Sequence, residues 1–114
     1  MSNTYEHMPA YISTLYGVFK NIHNKSNEKG DRKLKLISVL IFNYVNHLAK
    51  TNNVDLKIVG DNYTINMKYF FEYVNHNNIQ LYDFNNINDN DVDISKKEDL
   101  ERFVLTHVYY ITQQ

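Results

Sequence analysis

The N-terminal part of the chain has the apolar spacing of an amphipathic helix. One stripe within residues 5–24 recurs at three- and four-residue intervals and consists of Met8, Tyr11, Ile12, Leu15, Phe19 and Ile22. Pro9 is compatible only with the first turn of a helix, so we expect the helix to begin between Thr4 and Met8. Gly17 lies inside the predicted helix and indicates a close crossing by a neighbouring helix.

Residues 34–49, LKLISVLIFNYVNHLA, are apolar on nearly every side of a helix. Helices of this kind are buried, so we expect this one to be the central element, with the first helix on one side and a sheet on the other. A polar connection over residues 24–31 precedes it and contains Gly30. Asp31 is the predicted N-cap, and the helix is predicted to end at about Lys50.

Residues 54–69 have the pattern of a β-hairpin. Apolar side chains occupy every second position over residues 54–58 and again over residues 63–69, which predicts two half-buried strands. The sequence Gly60-Asp61-Asn62 between them is typical of a tight turn. Residues 67–74 also fit a helix capped by Asn66; we favour a short hairpin followed by a short helix to about Asn75, and the strand remains the alternative.

Residues 79–84, IQLYDF, predict a third strand, and a last helix follows with the capping box Ser95-Lys96-Lys97-Glu98. Its apolar stripe consists of Leu100, Phe103, Val104, His107, Val108 and Ile111. The elements together predict a single α+β domain over residues 1–114, with two N-terminal helices, an antiparallel sheet of a β-hairpin plus a third strand, and a C-terminal helix. The two open edges of such a sheet favour dimerisation by edge pairing or through an exposed helix face.

The composition narrows the class of protein. The 114 residues include no cysteine, which excludes a disulfide framework and a cysteine nucleophile and is typical of a reducing compartment. The N-terminus lacks the basic and apolar regions of a signal peptide, and no apolar run has the length of a membrane span. We therefore expect a cytoplasmic protein, in the host cytoplasm if the source is a virus or a phage. Frequent Asn, Ile, Lys and Tyr are typical of AT-rich genomes, including those of many phages and viruses.

Charge is divided unevenly along the chain. Residues 1–60 hold eight Lys and Arg against four Asp and Glu, whereas residues 61–114 hold four against nine. The basic run before the second predicted helix is Lys25, Lys29, Arg32, Lys33 and Lys35, and Glu28 and Asp31 dilute it. Its candidate binding residues are the basic cluster of Lys29, Arg32, Lys33 and Lys35. Cations are unfavourable at a helix N-terminus, so this cluster suggests contact with phosphate or with an acidic partner; an ordinary solvated loop is the alternative.

Ten tyrosines and six phenylalanines form an unusually aromatic chain. Most have core spacing, but four tyrosines fall off the main stripes and are expected to be exposed: Tyr16, Tyr73, Tyr82 and Tyr109. Exposed tyrosines are enriched at protein interfaces and also stack on nucleobases. These four residues and the basic cluster are the predicted partner-binding residues, and partial exposure through codon bias alone is the alternative.

The loop before the last helix resembles only the beginning of a calcium loop. Asp89, Asp91 and Asp93 alternate as in an EF-hand, but Ile94 stands where glycine is needed and Leu100 where glutamate is needed. We therefore expect a solvated loop without metal.

No other pattern indicates chemistry. His47 and His107 lie on apolar stripes and are expected to be packed core residues. The chain has no HExxH motif, no nucleophile turn and no glycine-rich phosphate loop. The sequence thus predicts no catalytic residue, no cofactor and no metal ligand.

Two functions remain. The favoured one is a non-enzymatic protein–protein interaction module, an accessory, inhibitor or immunity-type protein of a phage, virus or mobile element. It would bind a protein with an acidic surface, and a homodimer is one form of that interaction. The alternative is a nucleic-acid-binding transcriptional regulator, in which the basic helix start contacts phosphates and the hairpin around residues 60–62 acts as a wing. The net charge of −1 and Asp61 at the hairpin tip argue against it.

Overall fold

The computed structural model describes residues 5–86 and 92–113, and all regular structure in these ranges is helical. The elements are α1 (Met8–Lys29), α2 (Arg32–Thr51), α3 (Leu56–Asn62), α4 (Met67–His76), a 3-10 turn (Phe84–Asn86) and α5 (Lys97–Thr112). The described ranges contain no strand, so the predicted α+β class is wrong. The chain divides into two compact units, Met1–Asn78 and Ile79–Gln114.

Helix α1 is the central helix of the first unit, because it packs against α2, α3 and α4. It begins at Met8, within the predicted interval, with Pro9 in its first turn. It continues to Lys29, so most of the predicted polar connection is helical. Gly30 then ends α1 in the left-handed conformation, at φ 61°, which glycine adopts without steric cost.

Helix α2 begins as predicted, but it is not buried on all sides. The Asp31 carboxylate accepts the N–H groups of Lys33 (3.0 Å) and Leu34 (3.1 Å), which confirms the N-cap. The face toward α1 is buried and includes Ile37, Ile41, Tyr44, Val45 and Leu48. The opposite face keeps Leu36 61% and Val39 46% exposed. The predicted central position is therefore wrong, since α1 occupies it.

The predicted hairpin is wrong because two polar residues start helices where strands were expected. Asp55 accepts the N–H of Lys57 (2.9 Å) and begins α3, which contains Gly60 and no buried residue. Asn66 accepts the N–H of Lys68 (3.1 Å) and begins α4. Residues 67–74 are therefore helical, in agreement with the Asn66 cap that the sequence also allowed. The alternation over residues 54–58 is too short to distinguish a strand from the first turn of a helix.

Residues 63–66 form an extended segment whose backbone pairs with α1 side chains instead of with a strand. The Thr64 N–H donates to Ser13 Oγ (2.7 Å), and the Asn66 N–H donates to Thr14 Oγ1 (3.1 Å). The segment also explains Gly17, because a Cβ atom there would overlap Ile65 Cγ1 and lie 2.9 Å from Tyr63 Cδ2. The close approach that Gly17 predicted is confirmed, but the neighbour is an extended chain and not a helix.

A tyrosine cluster of Tyr5, Tyr11, Tyr44 and Tyr73 lies in the core of the first unit, and each ring is at most 7% exposed. Tyr11 and Tyr73 stack with centroids 3.9 Å apart, and Tyr5 meets Tyr73 edge-on at 5.6 Å. The Tyr11 and Tyr44 hydroxyl oxygens are hydrogen-bonded at 3.2 Å. The expected exposure of Tyr73 is therefore wrong: its position on α4 turns it toward α1.

The second unit contains α5 and the segment that precedes it, and the predicted third strand is wrong. Side chains of α5 take the backbone groups that a neighbouring strand would have paired. The Tyr82 N–H donates to Thr106 Oγ1 (3.0 Å), and Arg102 Nε donates to the Gln80 carbonyl oxygen. Phe84 stacks on Tyr110 with centroids 4.9 Å apart. These contacts hold residues 80–84 without a sheet.

The start of α5 differs from the predicted capping box. Lys96 is the N-cap residue and has no side-chain capping bond. The Ser95 hydroxyl and N–H both donate to the Asp93 carboxylate, which lowers the pKa of Asp93. Ser95 is therefore occupied outside the helix and does not cap it.

The two histidines that were predicted to be packed differ in their burial. His107 is 6% exposed, and its Nδ1 lies 2.9 Å from the Phe103 carbonyl oxygen, so the prediction for His107 is confirmed. His47 is exposed on α2, and the prediction for His47 is wrong.

Candidate functional site

The outer face of α2 combines exposed aliphatic side chains with positive charge. It consists of Arg32, Lys33, Lys35, Leu36 and Val39, and all five are exposed. Arg32 precedes Leu36 by four residues and Lys35 precedes Val39 by four residues, so each cation neighbours an apolar side chain on the helix surface. Leu36 and Val39 lie three residues apart, so they neighbour one another on the helix surface, next to Arg32 and Lys35.

The charge on this face is uncompensated within the helix. Residues 32–51 contain four Lys and Arg and no Asp or Glu. Within residues 5–86 and 92–113, no carboxylate lies within salt-bridge distance of the side chains of Arg32, Lys33 or Lys35. Lys29 adds a further exposed cation in the last turn of α1, beside Gly30. The four predicted basic residues therefore gather at the junction of α1 and α2.

A second feature of the first unit is the aromatic row, made of Phe42, Phe19, Tyr16 and Tyr63. Successive ring centroids lie 5.0, 5.7 and 5.6 Å apart. Tyr63 is 37% exposed and the other three rings are half-buried. Phe42 follows Lys35 by seven residues and Val39 by three, so the aromatic row begins beside the outer face of α2.

The remaining predicted tyrosines are engaged in local contacts. Tyr73 is buried in the tyrosine cluster and is not available to a partner. Tyr82 is half-buried, with the Arg102 guanidinium 3.9 Å from its ring centre. Tyr109 is half-buried and meets Tyr110 edge-on at 5.0 Å. Tyr82 and Tyr109 belong to the second unit, and among the four predicted tyrosines only Tyr16 belongs to the aromatic row.

Sequence reasoning missed Leu36, Val39, Phe19, Phe42 and Tyr63 as surface residues. The pattern of residues 34–49 places Leu36 and Val39 on the side opposite the main stripe of α2. The one sequence signal for a binding face on α2 was that the helix contains no acidic residue to balance its cations. Burial of the second apolar side requires a second packed neighbour, and within the described part of the first unit α2 packs extensively only against α1.

A cleft of about 630 Å³ lies between the N-terminal turn and α4 and is lined by Tyr5, Glu6, His7, Glu72, Asn75 and His76. The Tyr5 hydroxyl donates to Glu72 Oε2 at 3.0 Å, and His7 Nε2 lies 3.8 Å from Glu6 Oε1. Burial and the Glu72 carboxylate raise the pKa of Tyr5 well above its ordinary value. The Tyr5 hydroxyl thus connects the N-terminal turn to α4 through its hydrogen bond to Glu72.

No metal-binding constellation is visible in the described part of the chain, where no group of three or more His, Asp or Glu is placed to hold an ion. Of the calcium-like triplet, Asp89 and Asp91 lie outside the described residues, and Asp93 accepts from Ser95.

The helices of residues 5–86 and 92–113 include none that is both long and apolar enough to span a membrane.

Comparisons with known protein families, with curated proteins and with solved structures give no match to this chain.

Proposed function

We propose that this chain is a non-enzymatic protein-binding module, and that the outer face of α2 contacts an acidic, partly apolar surface of another protein. The observation that carries the proposal is the exposure of Leu36 and Val39 on the same side of α2 as the cations Arg32 and Lys35. Exposed apolar side chains rimmed by charged residues are a feature of protein interaction sites.

The chemistry of this face favours a protein over a nucleic acid. Aliphatic side chains do not stack on bases as aromatic rings do, whereas they pack well against the apolar stripe of an amphipathic helix. The cations then match acidic residues that border such a stripe and speed the encounter of the two proteins. The regulator alternative also loses its wing, because residues 56–62 form α3 and not a hairpin.

The amino-acid composition bears on the type of protein and on its compartment. Frequent Asn, Ile, Lys and Tyr, which are typical of AT-rich genomes, support an accessory, inhibitor or immunity-type protein of a phage, virus or mobile element. The lack of cysteine supports action in a reducing compartment such as the cytoplasm, which for a virus or phage is the host cytoplasm.

The test is affinity capture from an extract of the source organism or its host with matched surface variants. Leu36→Glu places a charge in the proposed interface, and Ile58→Glu is its control because Ile58 on α3 is 60% exposed, nearly as much as Leu36. Lys35→Glu is paired with Lys57→Glu, another exposed lysine on α3. We expect Leu36→Glu and Lys35→Glu to lower the captured amount of the partner at least tenfold, and both controls to bind as the unmodified chain does.

Retention of the partner by all four variants contradicts the proposed surface. Capture of nucleic acid, with a steep loss as salt increases and no effect of Leu36→Glu, supports the regulator and contradicts the protein-binding module.

A further inference from the structure

We infer that the outer face of α2 binds the acidic second unit of another copy of the same chain, in a head-to-tail arrangement. The inference rests on the proposed function, since it names a partner for the same face. It is carried by charge complementarity between the two units.

The two units have opposite net charge. Residues 1–78 contain nine Lys and Arg and six Asp and Glu, a net charge of +3, and residues 79–114 contain three and seven, a net charge of −4. The positive charge of the first unit is concentrated at the junction of α1 and α2. One chain therefore carries both a basic surface and an acidic surface of opposite charge that attracts it.

Acidic side chains of the second unit lie at the start of α5. Glu98 is exposed, and the half-buried Glu101 lies three residues later on the same side of the helix. Asp93 just before α5 is also exposed. Negative charge in the first turn is favoured by the helix dipole, so this acidic surface is compatible with a stable α5.

The arrangement is heterologous, because the contacting surfaces belong to different units. A head-to-tail dimer leaves the basic face of one copy and the acidic surface of the other open, so the association can continue beyond a dimer. The average mass should therefore rise steadily with concentration, and it should fall as salt screens the exposed charges.

The experiment is analytical ultracentrifugation of the full chain over a range of concentrations, at about 20 mM and about 500 mM salt. At low salt we expect the weight-average mass to rise above 13.6 kDa with concentration, and at high salt to return to the monomer value. The basic-face variant R32E/K33E and the acidic-surface variant E98K/E101K should each lower the association constant at least tenfold at low salt. A mixture of the two variants should associate again, since each supplies the surface that the other has reversed.

The controls separate association from folding and from total charge. R32E/K33E places acids at a helix start, where they are favourable, and far-ultraviolet circular dichroism checks that each variant remains helical. K57E/K68E changes the net charge by the same amount on α3 and α4, and it should associate as the unmodified chain does.

A chain that stays at 13.6 kDa at all concentrations overturns the inference, and so does association that R32E/K33E leaves unchanged. The capture experiment with Leu36→Glu is independent of this result. A monomeric chain whose capture of another protein still depends on Leu36 rejects only the second copy as partner, whereas loss of both results rejects the face itself.

Discussion

Helix α1 carries aromatic residues on two sides, and the two groups differ in how deeply their rings are buried. On one side, Tyr11 belongs to the tyrosine cluster, where every ring is at most 7% exposed. On the other side, Tyr16 and Phe19 belong to the aromatic row, which is half-buried or exposed along its length. The same residue type therefore forms the core on one side of a helix and a surface on the other.

The difference lies in the hydroxyl groups. Tyr11 and Tyr44 satisfy one another at 3.2 Å, and Tyr5 donates to Glu72 at 3.0 Å. Buried hydroxyls need such partners because an unpaired one costs about 1–3 kcal/mol. The rings of the aromatic row contact one another on one side and face solvent on the other. The hydroxyl groups of Tyr16 and Tyr63 can therefore exchange hydrogen bonds with water for hydrogen bonds with a binding partner. The number of tyrosines in the sequence therefore does not indicate a binding surface by itself. Only the tyrosines that the fold leaves accessible can contact a partner.

The largest expected effect distinguishes the two groups directly. Tyr11→Ala removes a ring that is fully buried and stacked on Tyr73, so we expect the free energy of unfolding to fall by about 3–5 kcal/mol. Tyr16→Ala removes a half-buried ring and should cost about 1 kcal/mol. Urea unfolding followed by circular dichroism measures both values. Equal losses for the two variants would contradict the distinction between the cluster and the row.

A smaller effect is expected where the extended segment 63–66 crosses α1 at Gly17. In Gly17→Ala the new methyl group overlaps Ile65 Cγ1, so we expect a loss of about 1–2 kcal/mol although alanine favours a helix. Ile65→Ala removes the obstructing atom. In the double variant Gly17→Ala/Ile65→Ala the loss should be smaller than the sum of the two single losses, by about 1 kcal/mol. Additive losses would show that Ile65 does not restrict position 17.

The smallest effect concerns pH and Tyr5. Tyr5→Phe removes the hydrogen bond to Glu72 and should cost about 1 kcal/mol at pH 8. The pKa of Tyr5 is raised in the folded chain, so its contribution is fully present below the unfolded pKa of about 10 and is lost as pH rises further. The stability difference between the unmodified chain and Tyr5→Phe should therefore shrink between pH 8 and about pH 10.5. Tyr63→Phe is the exposed control, and a difference for Tyr5→Phe that stays constant over this range contradicts the assignment.

The long helices could be predicted from the sequence because their signals are long and redundant. Helix α1 combines a six-residue stripe with Pro9, and α2 combines a continuous apolar pattern with the Asp31 cap, which the structure confirms. The end of α1 could not be predicted, because residues 24–29 are polar and only Gly30 marks the end of the helix.

The short elements failed for a physical reason. Five or six residues with alternating polarity fit both a strand and a turn of helix, and the decision came from Asp55 and Asn66, whose side chains start α3 and α4. At α5 the sequence fits a capping box that begins with Ser95, but in the structure the Ser95 hydroxyl donates to the Asp93 carboxylate and does not cap the helix. Which of these local hydrogen bonds forms depends on the backbone conformation, and the spacing of residues in the sequence does not determine that conformation.

The basic half of the candidate site was predictable, and the apolar half was not. Lys29, Arg32, Lys33 and Lys35 follow from charge counting along the chain. The exposure of Leu36 and Val39 depends on which faces of α2 find a neighbour. That is a tertiary property, so the same apolar pattern correctly predicted a helix and wrongly predicted full burial.

The two-residue connection Gly30-Asp31 has a consequence for how the chain folds. It joins α1 and α2, which among the described helices pack together most extensively. Because the connection is only two residues long, little loop-closure entropy opposes their pairing. During synthesis the ribosome releases α1, Gly30 and α2 before α3 emerges, so the helical hairpin can assemble cotranslationally and present its tyrosine side chains as a template for α4.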